Sequence, residues 1–364
     1  RPLTRTWACS LGSPPAHSGL GLLTRILNAG GHSADDEPVK VRPVAAFVIA
    51  ATLAAATIAG ADPVNAPAAA SVQAQRLTPA PVPTIGGCTV FPTDNSWNVD
   101  IRNAPLHSRS SQIISYIQAH GSDFLHPDFG ENPNYGIPFV VVPQNQPLVP
   151  ISYDAYGDES DPGPFPIPLD APVEGGTGAG GDRHVIALRQ GTCDLFELFV
   201  GRRQGSGWVA ASGARFNLRS NALRPLGWTS ADAAGLPILP GLVRYEEVAA
   251  GKILHPIRVT FSTTRRGYVL PATHWASSVT DQNAPPMGLR LRLRADYDIS
   301  GLTGQARVIA EAMQTYGLIV ADNGSNWFFQ GAPSPGWNDD DLNQLKAISG
   351  AAFEVVDMGP TITS

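Results

Sequence analysis

Three cysteines in 364 residues, at positions 9, 88 and 193, are too few and too scattered for a zinc ribbon or a dense disulfide scaffold. Charge is sparse as well. Charged residues make up 15%, and 25 basic against 31 acidic residues leave a net charge of −6. That balance argues against a nucleic-acid binder, which needs a basic surface to track phosphates. The motifs of common hydrolases and nucleotide binders are missing: there is no G-x-S-x-G elbow, no H-E-x-x-H and no P-loop. The longest apolar run, Val44 to Ile58, is about 15 residues, short of the ~20 that span a bilayer. What the chain does have is apolar residues (43%), Gly (37) and Pro (33). Such breaker content is too high for a helical bundle and too low for a disordered chain. The composition points to a compact, β-rich protein.

The N-terminal part reads as targeting sequence. Lys40 and Arg42 precede the apolar run, and Ala59-Gly60-Ala61 follows it. This order predicts a signal peptide over 39–61 and a secreted product with no stable membrane span after cleavage. Residues 1–38 show no period and read as upstream or untranslated sequence, with Val39 as the start. Residues 62–84 form an Ala/Pro-rich linker that cannot pack a core. Residues 85–364 then read as one domain. Without residues 1–61, 20 basic and 28 acidic residues remain, a net charge of −8. Cys9 is lost, and Cys88 and Cys193 are expected to pair, as an even number of cysteines does in an oxidising compartment. Two free buried thiols are the alternative.

Strand patterns dominate the domain. Short apolar runs bounded by Pro or Gly lie at 135–143, 149–156, 183–188, 194–200, 207–211, 214–218, 257–261, 267–270, 318–321, 326–330 and 353–356, and 289–294 alternates Leu with Arg. Helical spacing appears at 110–120, 305–316 and 339–348. Many strands, loops rich in Pro and Gly, and a few peripheral helices predict a mainly β domain of the β-sandwich or jelly-roll kind.

Several groups carry possible chemistry. With Gln190-Gly191 as a two-residue turn, Arg189 pairs with Thr192 and His184 falls opposite Glu197, about 5 Å away. A His beside a carboxylate suits general acid–base work, and Leu195 and Phe199 on Glu197's strand face would desolvate it and raise its pKa. A structural ion pair fits the same pattern. Glu246, Glu247, His255 and Arg258 mark the passage from a helical turn into a strand. Arg290, Arg292 and Arg294 share one strand face, where like charges need carboxylates or an anionic ligand beside them. Six Trp (97, 208, 228, 275, 327 and 337) lie in or near loops. Trp275 after His274, and Trp327 after the turn that begins at Asp322, are candidate sugar platforms. The acidic stretch Asp158-Glu159-Ser160-Asp161 offers hard oxygens for Ca²⁺ without the spacing of an EF-hand loop. The glycine-rich stretch 174–182 lacks the P-loop Lys and reads as a flexible rim.

The blocks Tyr135-Gly136-Ile137-Pro138, Asp158 to Pro164 (DESDPGP), Gly181 to Val185 (GDRHV), Leu223 to Leu236 (LRPLGWTSADAAGL), Pro240 to Arg244 (PGLVR) and Val320 to Trp327 (VADNGSNW) resemble a group of secreted bacterial proteins with no assigned activity. The resemblance covers most of 88–357 and implies no catalytic residues. Where His-Ala is expected before the strand at 257, Pro256 follows His255 here. The expectation is a secreted protein that acts on a polysaccharide or cell-wall glycan, as a glycoside hydrolase or polysaccharide lyase. His184, Glu197, Glu247, His255 and Arg258 would be the chemical groups, Arg290, Arg292, Trp275, Trp327 and Asp322 would hold substrate, and no cofactor is expected. A non-catalytic glycan binder and a partner-binding surface module are the alternatives.

Overall fold

The computed structural model describes residues 82–364. The predicted signal peptide, the segment before it and nearly all of the linker lie outside the described residues. A hairpin opens the fold, β1 (Thr84–Ile85) and β2 (Cys88–Thr89), followed by α1 (Ser110–Ala119), β3 (His126–Asp128), β4 (Val140–Val142) and β5 (Ile151–Tyr153). Five strands come next: β6 (Val185–Arg189), β7 (Asp194–Phe199), β8 (Arg202–Gln204), β9 (Gly207–Ala210) and β10 (Ser212–Asn217). Helix α2 (Tyr245–Ala249) leads into β11 (Ile257–Phe261) and β12 (Arg290–Leu293). The chain ends with α3 (Gly304–Thr315), β13 (Leu318–Asn323), β14 (Phe328–Gln330), α4 (Asp339–Asn343) and β15 (Phe353–Val356).

The mainly β expectation holds, but the sheets are not those of a jelly roll. A six-stranded sheet runs β15-β12-β13-β11-β14-β3, a four-stranded one β10-β7-β6-β4 and a three-stranded one β5-β9-β8. Each contains parallel neighbours: β11 with β13 and β14 with β3, β4 with β6, and β5 with β9. Jelly rolls are antiparallel. Parallel neighbours need long crossovers, and no local turn signal announces those in a sequence.

The four-stranded sheet is covered on both faces. Ile186, Leu188, Leu195 and Ala214 join the main core with Ile257, Val259 and Phe261, whereas Val185, Ala187, Phe196 and Leu198 join a smaller cluster with Phe165 and Trp208. Two-sided burial explains why β6 and β7 read as nearly continuous apolar runs. Pro limits two predicted strands. The 135–143 run pairs only over Val140–Val142, because Pro138 and Pro143 have no N–H to give a ladder. The 267–270 run, followed by Pro271, makes only isolated bridges from Tyr268 to Met287 and Ile362.

Cys88 and Cys193 form the predicted disulfide, with Cα atoms 5.5 Å apart and a sequence separation of 105 residues. Closing so long a loop stabilises the fold by about 2–5 kcal/mol. Cys193 also alters the adjacent hairpin. It sits in the turn at φ +58°, and the ladder closes with Arg189 opposite Asp194 across a four-residue turn. Ile186, not His184, is therefore opposite Glu197. The shift is two residues, so His184 stays on Glu197's side of the sheet, one pair further along.

Candidate functional site

The site is built on β11. Its alternation turns Ile257, Val259 and Phe261 to the core and Arg258 and Thr260 to the opposite face. Beside it, β13 runs in parallel with Arg258 against Ile319 and Val259 against Val320. A bulge then skips Ala321, and Asp322 falls beside Thr260. Regular alternation would have sent Asp322 to the face of Val259; the extra residue re-aims it. The carboxylate ends 4.0 Å from Arg258 Nη2.

Arg258 is 3% exposed and its charge is compensated by Asp232, also fully buried, at 2.7 Å from Nη2 and 3.3 Å from Nε. Burial opposes the guanidinium charge, but Asp232, with Asp322 and Glu174 nearby, outweighs it and raises the pKa. His184, at the entry to β6, is the second buried cation. Its Nδ1 lies 2.7 Å from Glu174 Oε2 and its Nε2 lies 3.0 Å from the Ala231 carbonyl. Both partners are acceptors, so both ring nitrogens carry protons. Burial disfavours that charge, Glu174 overcomes it, and the pKa is raised to about 9. His184 is thus a fixed cation near neutral pH, not the acid–base group expected from the sequence.

Glu197 is fully buried. Its carboxylate accepts the Ile238 N–H at 3.0 and 2.9 Å and the Leu239 N–H at 2.9 Å, at the start of a 3₁₀ turn over Leu239–Gly241. Arg244 closes the far end of the same turn, donating to the Leu239 and Leu242 carbonyls. A carboxylate at the N–H end and a guanidinium at the carbonyl end satisfy a buried loop that would otherwise carry orphan backbone groups. Burial pushes Glu197 up to about 7, yet the group has no path to solvent. It braces the fold. The Glu247 and His255 pair is also structural. Glu247 lies 2.5 Å from Arg244 Nη2 and 3.0 Å from His255 Nε2, and His255 Nδ1 faces the Pro256 carbonyl at 2.8 Å. These contacts tie α2 to the entry of β11, and neither residue lines the cavity beside Asp322.

That cavity, of about 190 Å³, is walled by Asp232, Asp322, His274, Tyr156, Phe199 and neighbouring small side chains. His274 Nδ1 donates to the Ala233 carbonyl at 2.8 Å, which leaves Nε2 free, 4.0 Å from Glu159 Oε2. Asp322 accepts from the N–H groups of Asn323 (2.7 Å) and Ala233 (3.3 Å), and burial still lifts it to about 7. Glu174 is set the other way. Burial pushes it up, but His184 prevails and holds it below the usual carboxylate range. Both hydrogen bonds from His184 go to Oε2, and the side chain keeps 26% exposure, so Oε1 is open. Asp182 and Asp128 complete the group around Arg258, both raised by burial. A larger cavity of about 350 Å³ elsewhere is mostly apolar, with Phe91, Trp97, Leu236 and Leu270 among its walls, and holds none of these groups.

The remaining candidates take structural roles. Arg290 is buried, donating to the Ser96 and Tyr316 carbonyls, and desolvation lowers its pKa to about 9. Arg292 is held by Glu354 at 2.6 Å and by the carbonyls of Ile101, Arg102 and Ala104. Arg294 pairs with Asp296 at 3.0 Å. Arg290 and Arg292 of the expected anion-binding ladder are therefore internal clamps, and Arg294 makes a surface pair. Trp327 is wholly buried between Phe261 and Phe353, so it offers no sugar platform. Trp275 is half-buried, stacked on Tyr268. The oxygens of the acidic loop are taken by protein donors: Asp161 accepts from the Arg224 guanidinium and the Arg215 N–H, and Glu159 accepts from the Thr229 N–H. Among the described residues no cluster of His, Cys, Asp or Glu is arranged to hold a metal.

Sequence reasoning placed Asp182 beside His184 in its first candidate group but missed Glu174, Asp232 and His274. Glu174 and Asp182 bracket the glycine-rich stretch read as a rim. Asp232 lies inside the longest block of the resemblance, and His274 directly precedes the Trp275 that was singled out. Comparison with protein-family models, with curated proteins and with solved structures finds no match to this chain.

The buried ionisable groups predict how stability follows pH. Glu197 and Asp322 are raised to about 7 from 4.5 and 3.8, so their contribution is lost as pH rises through 7. His184 is raised to about 9 from 6.5, so its contribution is full below 6.5 and lost as pH rises through 9. All three act in one direction. The melting temperature is expected to fall steadily from about pH 5 to about pH 9. A scan of thermal unfolding against pH that is flat or rising over that range would contradict the assignment.

Proposed function

We propose that this protein is a secreted glycan hydrolase with Asp322 as its general acid. The observation that carries this reading is the pair of carboxylates set in opposite directions around Arg258. Asp322, on the cavity wall, is raised to about 7, and Glu174, which is not part of that lining but shares the surroundings of Arg258, keeps one oxygen open and is held low by His184. Glycoside hydrolysis needs one protonated and one ionised carboxyl group flanking the bond. The disulfide supports secretion, since such bridges persist in oxidising compartments. A lyase acting on uronates has less support. It needs a cation to neutralise the substrate carboxylate, and Arg258, Arg290 and Arg292 are all occupied internally. Half-buried Trp275, next to His274 at the cavity, also fits a glycan binder without catalysis.

The direct test is a glycan panel offered to the full chain, reading both reducing ends and the ultraviolet absorbance of unsaturated products. New reducing ends without unsaturated product are expected. Release of unsaturated sugar would indicate a lyase, and binding without release would leave the binder.

A further inference from the structure

Carboxyl groups outnumber cations around Arg258. The cluster contains Asp128, Glu174, Asp182, Asp232 and Asp322, together with Glu197 on its backbone donors. Two buried cations face them, and each has a partner: Arg258 has Asp232, and His184 has Glu174. Asp322 reaches only the edge of a guanidinium already bound to Asp232. Asp128 and Asp182 make no ion pair among the described residues. His126 lies near Asp128, but burial and Lys346 lower its pKa, so it is neutral near pH 7.

A separate observation comes from β14. Gln330 pairs with Asp128 across the β14–β3 ladder. The β14–β11 ladder places Val259 against Phe329, so the next position sets Gln330 beside Arg258, on the face of Asp128 and Thr260. Gln330 is 5% exposed, and its Oε1 is buried without a partner. An orphan acceptor in a buried position is costly and calls for a donor. Its ladder neighbours are Arg258, whose guanidinium is held by Asp232, and Asp128, whose carboxylate is a further acceptor. A ligand that brings both donors and positive charge satisfies the amide oxygen and the carboxylates together. An ammonium has three donors, one charge and no acceptor.

We propose that the open carboxylates around Arg258, with Gln330 Oε1, form a subsite for the free amine of an amino sugar, so that the glycan taken here is a de-N-acetylated one. This rests on the hydrolase reading only for the ligand being a glycan. The net charge of −8 outside residues 1–61 draws such a polycation at long range.

The test is calorimetric titration of the full chain with three oligosaccharides of equal length: glucosamine, N-acetylglucosamine and glucose oligomers, each also assayed for cleavage. An oligolysine of matched charge is the fourth ligand. The free-amine oligomer is expected to bind at least about tenfold more tightly than the acetylated one. Asp182→Asn and Gln330→Met should each remove most of that preference. Equal affinity for acetylated and free forms overturns the amine subsite, as does no binding of any oligomer. A preference that survives both variants also overturns it, as general attraction of a polycation. Tighter binding of oligolysine overturns the glycan assignment. Amine-selective binding without cleavage keeps the subsite and removes the hydrolase. Cleavage of a neutral glycan without amine preference keeps the hydrolase and removes the subsite.

Discussion

Asp322→Asn is expected to lower glycan release by about 10²–10⁴-fold, the usual contribution of a positioned general acid, and to leave the fold and ligand binding in place. Asp322 sits on the cavity wall with 24% of its side chain exposed, so an amide of the same shape fits there without a cavity or a clash. The acidic proton is lost together with one acceptor oxygen, and the longer contact, 3.3 Å from the Ala233 N–H, is the one the amide can give up. The pH profile gives an independent check. The acid must be protonated to act, and burial places its pKa at about 7, so activity should decline as pH rises through 7. Glu174, held low by His184, should set the acidic limb instead. Glu174→Gln should therefore be inactive too, whereas Asp322→Asn alone removes the alkaline limb. A variant that keeps more than about a tenth of wild-type release rules out Asp322 as the acid.

The fold was legible where the signal was local. β11 and β15 match their apolar runs to the residue, and α3 begins after Thr303 and ends at Gly317, which takes φ +72°. The Cys pair followed from parity alone. The parallel pairings were not legible, because they join strands far apart in sequence with no turn chemistry between them. The site failed for two further reasons. First, register depends on turn length, and Cys193 in the left-handed region adds two residues to a turn that Gln190-Gly191 alone would have closed. Second, the bulge at Ala321 is invisible to alternation, so Asp322 had no reason to share Arg258's face. Arg258 and Asp322 were singled out individually, but their partners Asp232 and Glu174 lie in irregular segments without periodicity. The Arg ladder misled because alternation fixes a face and says nothing about what covers it; here carbonyls of residues 101–104 and Glu354 do.

Arg258→Met should cost about 3–5 kcal/mol of stability, the range for breaking a buried ion pair by removing one partner. Asp232 has no solvent exposure, and among the described residues Arg258 is the only cation in contact with it. Met fills much of the same volume, so packing is nearly conserved and the loss measures the stranded carboxylate. The control is Arg258→Met with Asp232→Leu. An apolar pair removes both charges and should recover most of the loss, since a buried ion pair gains little over a well-packed apolar one. Urea denaturation midpoints of the three proteins decide the matter. A single variant that loses under about 1 kcal/mol would mean that water reaches Asp232 after all. The double variant also links stability to chemistry. Arg258 partly offsets the effect of burial on Asp322, and Asp232 adds to it. Removing both leaves burial opposed only by the N–H groups of Asn323 and Ala233. If the double variant folds and still cleaves glycan, its alkaline limb need move only slightly, because the two lost influences oppose each other. In the single variant the guanidinium no longer lowers the Asp322 pKa, and whatever charge the stranded Asp232 keeps raises it further, so the limb should shift to higher pH. The separation of those two profiles, measured on folded protein, tests whether one guanidinium both holds the core together and sets the acid.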